Sequence, residues 1–242
     1  MNEQLKLQRA WHPIELAILE HLQRFELITA CDAVLAGIKG MNTEEVAAHR
    51  LAAMEKLGIV QRAALNTASP CYILTPGELT SAEGATSEPT GRARLLSTQS
   101  MLRRYAMLKF CLQRAPPRRK LTPEEFQSRL PDMYRAAHAH HYYINFDDSQ
   151  PRVGFLRVDL GGRGRWDRIV AKARGDMHRH LQFPIVQQLL AKQSFEVAVV
   201  TSTHEKARRI HEALQAKQSE LPVPAYCEAI TELGDVIRPS PH

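Results

Sequence analysis

Apolar residues recur along this chain in two rhythms, and each change of rhythm marks a predicted element. Ile14, Leu16, Ala17, Leu19 and Leu22 follow helical spacing after Pro13, a residue suited to a first helical turn. A second short helix is predicted through residues 27–35, stopping at Gly37 and Gly40. A third starts at Asn42, which can cap with Glu45 three residues on, a variant of the capping box. Its expected apolar stripe is Val46, Ala47, the stem of Arg50, Ala53, Met54 and Leu57, and Gly58 ends it in a left-handed cap. Residues 59–62 and 71–74 then read as two short strands joined by a polar loop, before Thr75-Pro76-Gly77 turns the chain away.

Residues 80–91 contain only small, acidic and turn-forming types, too little apolar surface to offset their ordering entropy. They predict a flexible linker between a domain of residues 1–79 and a larger one of 92–242. The second domain opens with a predicted basic amphipathic helix over 93–114, ended by Pro116 and Pro117. Residues 142–146 and 153–159 read as adjacent strands turned at 147–151. Helices are expected over 166–176, 184–192 and 205–216, with a buried strand at 195–201. The expected fold class is α+β, with the second domain an α/β sandwich around a mixed sheet.

Composition narrows the possibilities. The 242 residues are 44% hydrophobic and 24% charged, ordinary for a globular protein. No apolar run approaches a membrane span, and the first residues lack the apolar core of a secretory signal. Cys31, Cys71, Cys111 and Cys227 are widely spaced with no CxxC pair, so a reducing cytoplasm is the expected location.

The formal charge of +6 is unevenly spread. Residues 91–120 carry nine Lys or Arg and no acid, and residues 163–180 carry six against two acids. Concentrated cations suit a polyanion, because each phosphate contact releases condensed counterions. The alternative is a solvated helix face.

Three helices and a two-stranded hairpin form the winged helix-turn-helix order. Met54-Glu55-Lys56-Leu57-Gly58-Ile59-Val60 with Tyr72-Ile73-Leu74-Thr75-Pro76-Gly77 resembles the end of the recognition helix and the wing of bacterial winged-helix regulators. That resemblance implies double-stranded DNA as partner. Asn42, Thr43, His49 and Arg50 are then candidate base readers, with Lys56, Gln61 and Arg62 nearer phosphate. Winged helices also dock proteins.

The order of elements in the second domain resembles the restriction-endonuclease-like fold. Its metal-dependent members place an Asp after a Pro, then Glu-x-Lys on a neighbouring strand, so that two carboxylates hold Mg²⁺ near an attacking water. Pro131-Asp132 supplies a candidate first half. At Arg157-Val158-Asp159, Arg stands where the acid belongs and Asp where the Lys belongs, so the catalytic pattern reads as lost. Winged helix, linker, basic helix and the Phe155-Leu156-x-Val158-Asp159 strand together resemble the plasmid replication-relaxation and mobilisation protein family. The similarity extends through Phe183-Pro184, residues 195–202 and the helix holding Arg208, Arg209 and Ile210. It implies a DNA-binding regulator or DNA-processing accessory factor of a plasmid or integrative conjugative element. A homodimer is the default, and a relaxase or replication initiator a further partner.

The leading expectation needs no cofactor, with Arg103, Arg104, Arg163 and Arg165 adding phosphate contacts. The rival is a Mg²⁺-dependent DNA nickase using Asp132, Asp159 and Asp148; a third is an adaptor docking a relaxase or initiator. His138 and His140 would converge only on an extended segment, and a surface histidine cluster is the simpler reading. The loop Gly161-Gly162-Arg163-Gly164-Arg165 lacks phosphate-loop spacing and reads as a turn presenting arginines.

Overall fold

A computed structural model describes residues 11–75, 97–113, 118–134, 136–146, 150–161, 166–216 and 223–237. The chain is mixed α+β and divides into two compact units. The expected linker at 80–91 lies outside the described residues.

In the first unit, helix α1 (Pro13–Phe25) is started by His12, whose side chain accepts from the Ile14 amide while Glu15 accepts from the His12 amide. Strand β1 (Ile28–Thr29) follows, then α2 (Ala30–Leu35), α3 (Glu44–Lys56), β2 (Val60–Arg62) and β3 (Cys71–Leu74). The three strands form an antiparallel sheet in the order β1-β3-β2. Ile18, Leu22, Ile28, Ala33, Met41, Ala47, Leu51, Met54 and Tyr72 make its core.

Three expectations are corrected here. Residues 28 and 29 are strand rather than helix, pairing with Tyr72 and Cys71. The Thr29 hydroxyl then accepts from the Asp32 amide, so α2 begins only at Ala30. The cap of α3 is Thr43, not Asn42: its hydroxyl accepts from the Val46 amide at 3.3 Å. The buried stripe of α3 is Ala47, Leu51 and Met54, and Val46 is 48% exposed. Gly58 does end the helix, at φ +71°, where a side chain would be strained.

The second unit begins with α4 (Thr98–Leu112), capped by the Ser97 hydroxyl. After it come β4 (Arg119–Lys120), α5 (Pro123–Arg129) and two 3₁₀ turns, Pro131–Met133 and Ala136–His141. Then follow β5 (Tyr142–Asn145), β6 (Arg152–Val158), α6 (Trp166–His180), α7 (Pro184–Ala191), β7 (Phe195–Thr201), α8 (His204–Gln215), β8 (Ala225–Ala229) and α9 (Glu232–Ile237). The five-stranded sheet runs β4-β5-β6-β7-β8, antiparallel across its first two pairs and parallel across its last two.

Strand alternation gives this sheet two different faces. Tyr142, Ile144, Val153, Phe155, Phe195, Val197, Val199 and Ala225 enter one apolar core with Phe126, Ile169, Ala173, Met177, Val186, Ile210 and Leu214 from the helices. The other face carries Tyr143, whose ring meets Phe110 of α4 edge-on at 4.9 Å. Any Cβ at position 154 would fall inside the Tyr143 ring, which is why that strand residue is Gly. The same face buries Glu196, which accepts from Tyr143 (2.7 Å), Asn145 (3.0 Å) and Tyr226 (3.0 Å).

The basic helix is not amphipathic as expected. Tyr105 to Cys111 are all buried, Lys109 included, because the helix packs beneath the sheet. The histidine segment is a 3₁₀ helix, so the extended geometry that would bring alternate histidines together does not arise.

Candidate nucleic-acid interface

Strands β6 and β7 run parallel and end side by side, and a cavity of about 1440 Å³ opens at that end. Arg157 and Asp159 enter it from the same side as alternate residues, Asp132 and Tyr134 line another wall, and α6 and Lys206 of α8 complete it. The structure thus brings Asp132 and Asp159 to one cavity. Asp148, Arg163 and Arg165 lie outside the described residues.

Each of the two motif positions carries a charge met by its opposite. Arg157 Nε donates to Asp176 Oδ2 at 2.5 Å, and Arg179 donates to the other carboxylate oxygen. Asp176 is only 1% exposed, so two guanidiniums share one buried carboxylate. Asp159 is likewise occupied on both oxygens. Oδ1 accepts from the Gly161 amide at 3.0 Å; Oδ2 accepts from the Thr201 hydroxyl at 3.0 Å and pairs with Lys206 Nζ at 2.5 Å. Lys206 also donates to the Gly161 carbonyl at 3.3 Å, so this pair holds the chain at Gly161, just beyond β6.

Behind these charges, Tyr142 and His180 form a buried hydrogen bond of 2.8 Å, and His180 Nδ1 lies 2.6 Å from the Asp176 carbonyl. A carbonyl only accepts, so Nδ1 carries the proton and Nε2 accepts from the tyrosine. Burial is the largest influence on both: it lowers the His180 pKa and raises that of Tyr142. Both stay neutral at pH 7 and serve as rigid support. Burial and the nearby Asp159 carboxylate also push the Cys227 thiol up to about 12, which leaves it without nucleophilic character.

These donors do not suit a divalent metal. Binding at Asp159 would require displacing Lys206, and the neighbouring Arg157 guanidinium is a cation that repels a metal ion. Among the described residues, no three His, Cys, Asp or Glu side chains stand together as a metal site.

What the cavity does offer is positive charge. Arg103, Arg157, Arg168, Lys172, Arg179 and Lys206 line it against Asp132, Asp159 and Asp176. Arg168 and Lys172 are exposed and make no ion pair among the described residues. Arg103 is exposed on the α4 side, whereas Arg104 is half-buried and does not line the cavity.

The stretch 91–120 is therefore not one solvated basic surface, and that expectation is corrected. Lys109, Arg118 and Lys120 are buried. Arg118 forks onto Glu228 at 2.6 and 2.8 Å and stacks over Phe110 at 3.8 Å. Arg119 pairs with Glu125 at 3.3 Å. These cations hold the fold.

In the first unit Asn42, Thr43, His49, Lys56 and Arg62 are exposed, and Arg50 and Gln61 are half-exposed. Arg62 is paired with Glu55 at 3.2 Å, and Glu44 accepts from Ser69 at 2.7 Å. Residues 11–75 hold seven acids and five Lys or Arg, so this part of the chain is net acidic.

Sequence reasoning missed Asp176 as the partner of Arg157 and missed Lys206 altogether. No local pattern joins Asp159 to a lysine 47 positions later; only the parallel pairing of β6 with β7, followed by α8, brings them together. Compared with known proteins, the chain matches no family model, no curated sequence and no solved structure. No helix among the described residues is long and apolar enough to cross a membrane.

Proposed function

We propose that this chain binds double-stranded DNA without cutting it, acting as a regulator or DNA-processing accessory factor of a mobile element. The observation that carries the reading is the cationic cavity at the end of β6, in which both motif charges are already neutralised and Arg168 and Lys172 remain exposed. In this reading the second unit is a restriction-endonuclease-like domain whose metal site has been replaced by two internal ion pairs. The order helix, antiparallel strands, helix, parallel strand, helix supports it.

The first unit is then a winged helix-turn-helix, supported by three helices, a small antiparallel sheet and a capped α3 whose start is exposed. Because residues 11–75 are net acidic, its part is selection through Asn42, Thr43, His49 and Arg50, and bulk affinity comes from the second unit. Pairing of half-sites by a homodimer, and docking of a relaxase or replication protein, belong to the same proposal.

Two assays test it. Purified full-length protein should retard duplex DNA and should leave supercoiled plasmid intact with Mg²⁺ or Mn²⁺. Nicking that disappears in Asp132→Ala would replace this reading with the nickase. Binding-site selection should enrich a motif whose preference weakens in Arg50→Ala.

A further inference from the structure

The structure assigns to one face of α6 a track for a single phosphodiester backbone, with Gly175 as the point of closest approach; this deepens the DNA-binding reading above and rests on it. At about 100° per residue, Arg168, Lys172, Gly175 and Arg179 fall within roughly 60° of one another on the helix. The three cations line the cavity and all are exposed. A rise of about 1.5 Å per residue sets Arg168 and Lys172 about 6 Å apart along the axis. Long side chains span the step between neighbouring phosphates from such a spacing.

Gly175 is the independent observation. Glycine is the poorest helix former after proline, yet it stands in the interior of a 15-residue helix. Nothing among the described residues calls for it. A Cβ built there meets no atom within 4 Å, and its φ is not in the left-handed region. The contrast with Gly154, which Tyr143 requires, is direct. A gap on an exposed cationic stripe suits a partner whose own backbone must come close, as a sugar-phosphate chain does beside a glycine. Arg179 adds to the track despite contacting Asp176, because that carboxylate is shared with Arg157 and the three groups together remain positive.

The test is fluorescence anisotropy on labelled duplex DNA, the corresponding single strand and polyglutamate, using full-length protein across a salt series. Gly175→Ala should raise the thermal midpoint, since alanine favours the helix, and should weaken DNA binding several-fold. That combination cannot come from misfolding. Arg168→Gln with Lys172→Gln should flatten the log–log salt slope on duplex by about 1.8, or 0.9 per phosphate. His178→Ala, off the stripe, should bind as wild type. A larger loss on duplex or on single strand identifies which nucleic acid supplies the backbone. If wild type binds DNA while the Gly175 and Arg168/Lys172 variants bind equally well, the track is wrong and DNA lies elsewhere on the protein. If wild type binds neither nucleic acid, the proposed function itself fails. Stripe-dependent binding of polyglutamate alone would overturn the track in favour of an acidic protein.

Discussion

At the scale of single residues, this protein buries charge and polarity where its sequence suggests surface. His21 is the clearest titratable case. It is buried against Phe25 with Nε2 unpaired, and burial, then Arg24, lowers its pKa to about 4. The unfolded chain binds the proton with a pKa near 6.5 and the folded one does not, so this contribution to stability is complete above about pH 6.5. It is lost as pH falls toward 4, by about 3 kcal/mol. Urea unfolding of the first unit between pH 7 and 4 should show that decline, and His21→Phe should remove most of it. An unchanged pH profile in the variant would mean another group titrates. Arg118 makes the matching prediction in the second unit. Arg118→Met leaves Glu228 without its forked partner and should cost about 3 kcal/mol in chemical denaturation. A neutral result would mean the pair is solvated.

At the scale of elements, legibility followed the length and purity of the apolar pattern. Strand β7 is seven buried residues in a row, and its limits were readable directly. Strand β1 is two residues long and sits within an apolar run that also fits a helix, so only pairing with β3 distinguishes it. Strand β8, Ala-Tyr-Cys-Glu-Ala, reads as polar because Glu228 and Tyr226 belong to half-buried networks with partners far along the chain. Helix α4 was legible as a helix but not as a buried one: Lys109 lies over the ring of Tyr105 four residues earlier, and only the sheet packed against the helix accounts for the burial of Tyr105 to Cys111. The candidate site divides the same way. Arg157-x-Asp159 could be read as a motif with reversed charges, whereas Asp176 and Lys206, which neutralise it, became visible only with the sheet order. The start of α3 offers a direct check. Thr43→Ala should cost about 1 kcal/mol, the usual value of a lost cap, while Asn42→Ala should cost little. Equal losses would return the cap to Asn42.

At the scale of the whole molecule, charge is distributed by role. The first unit's described residues are net acidic, buried cations of α4 and β4 hold the fold, and exposed cations concentrate along α6 beside the cavity. Under the proposed function, selection and affinity then separate. Substitutions at His49 or Arg50 should alter preference among duplexes with little change in salt dependence, and those at Arg168 and Lys172 should do the reverse. The most direct measurement of the central claim is the affinity of full-length protein for duplex DNA against salt, with Mg²⁺ and with a chelator. The expected result is a linear fall of log affinity with log salt, at about 0.9 per phosphate contacted, and no requirement for the metal. A slope near zero, or binding that vanishes in the chelator, would contradict it.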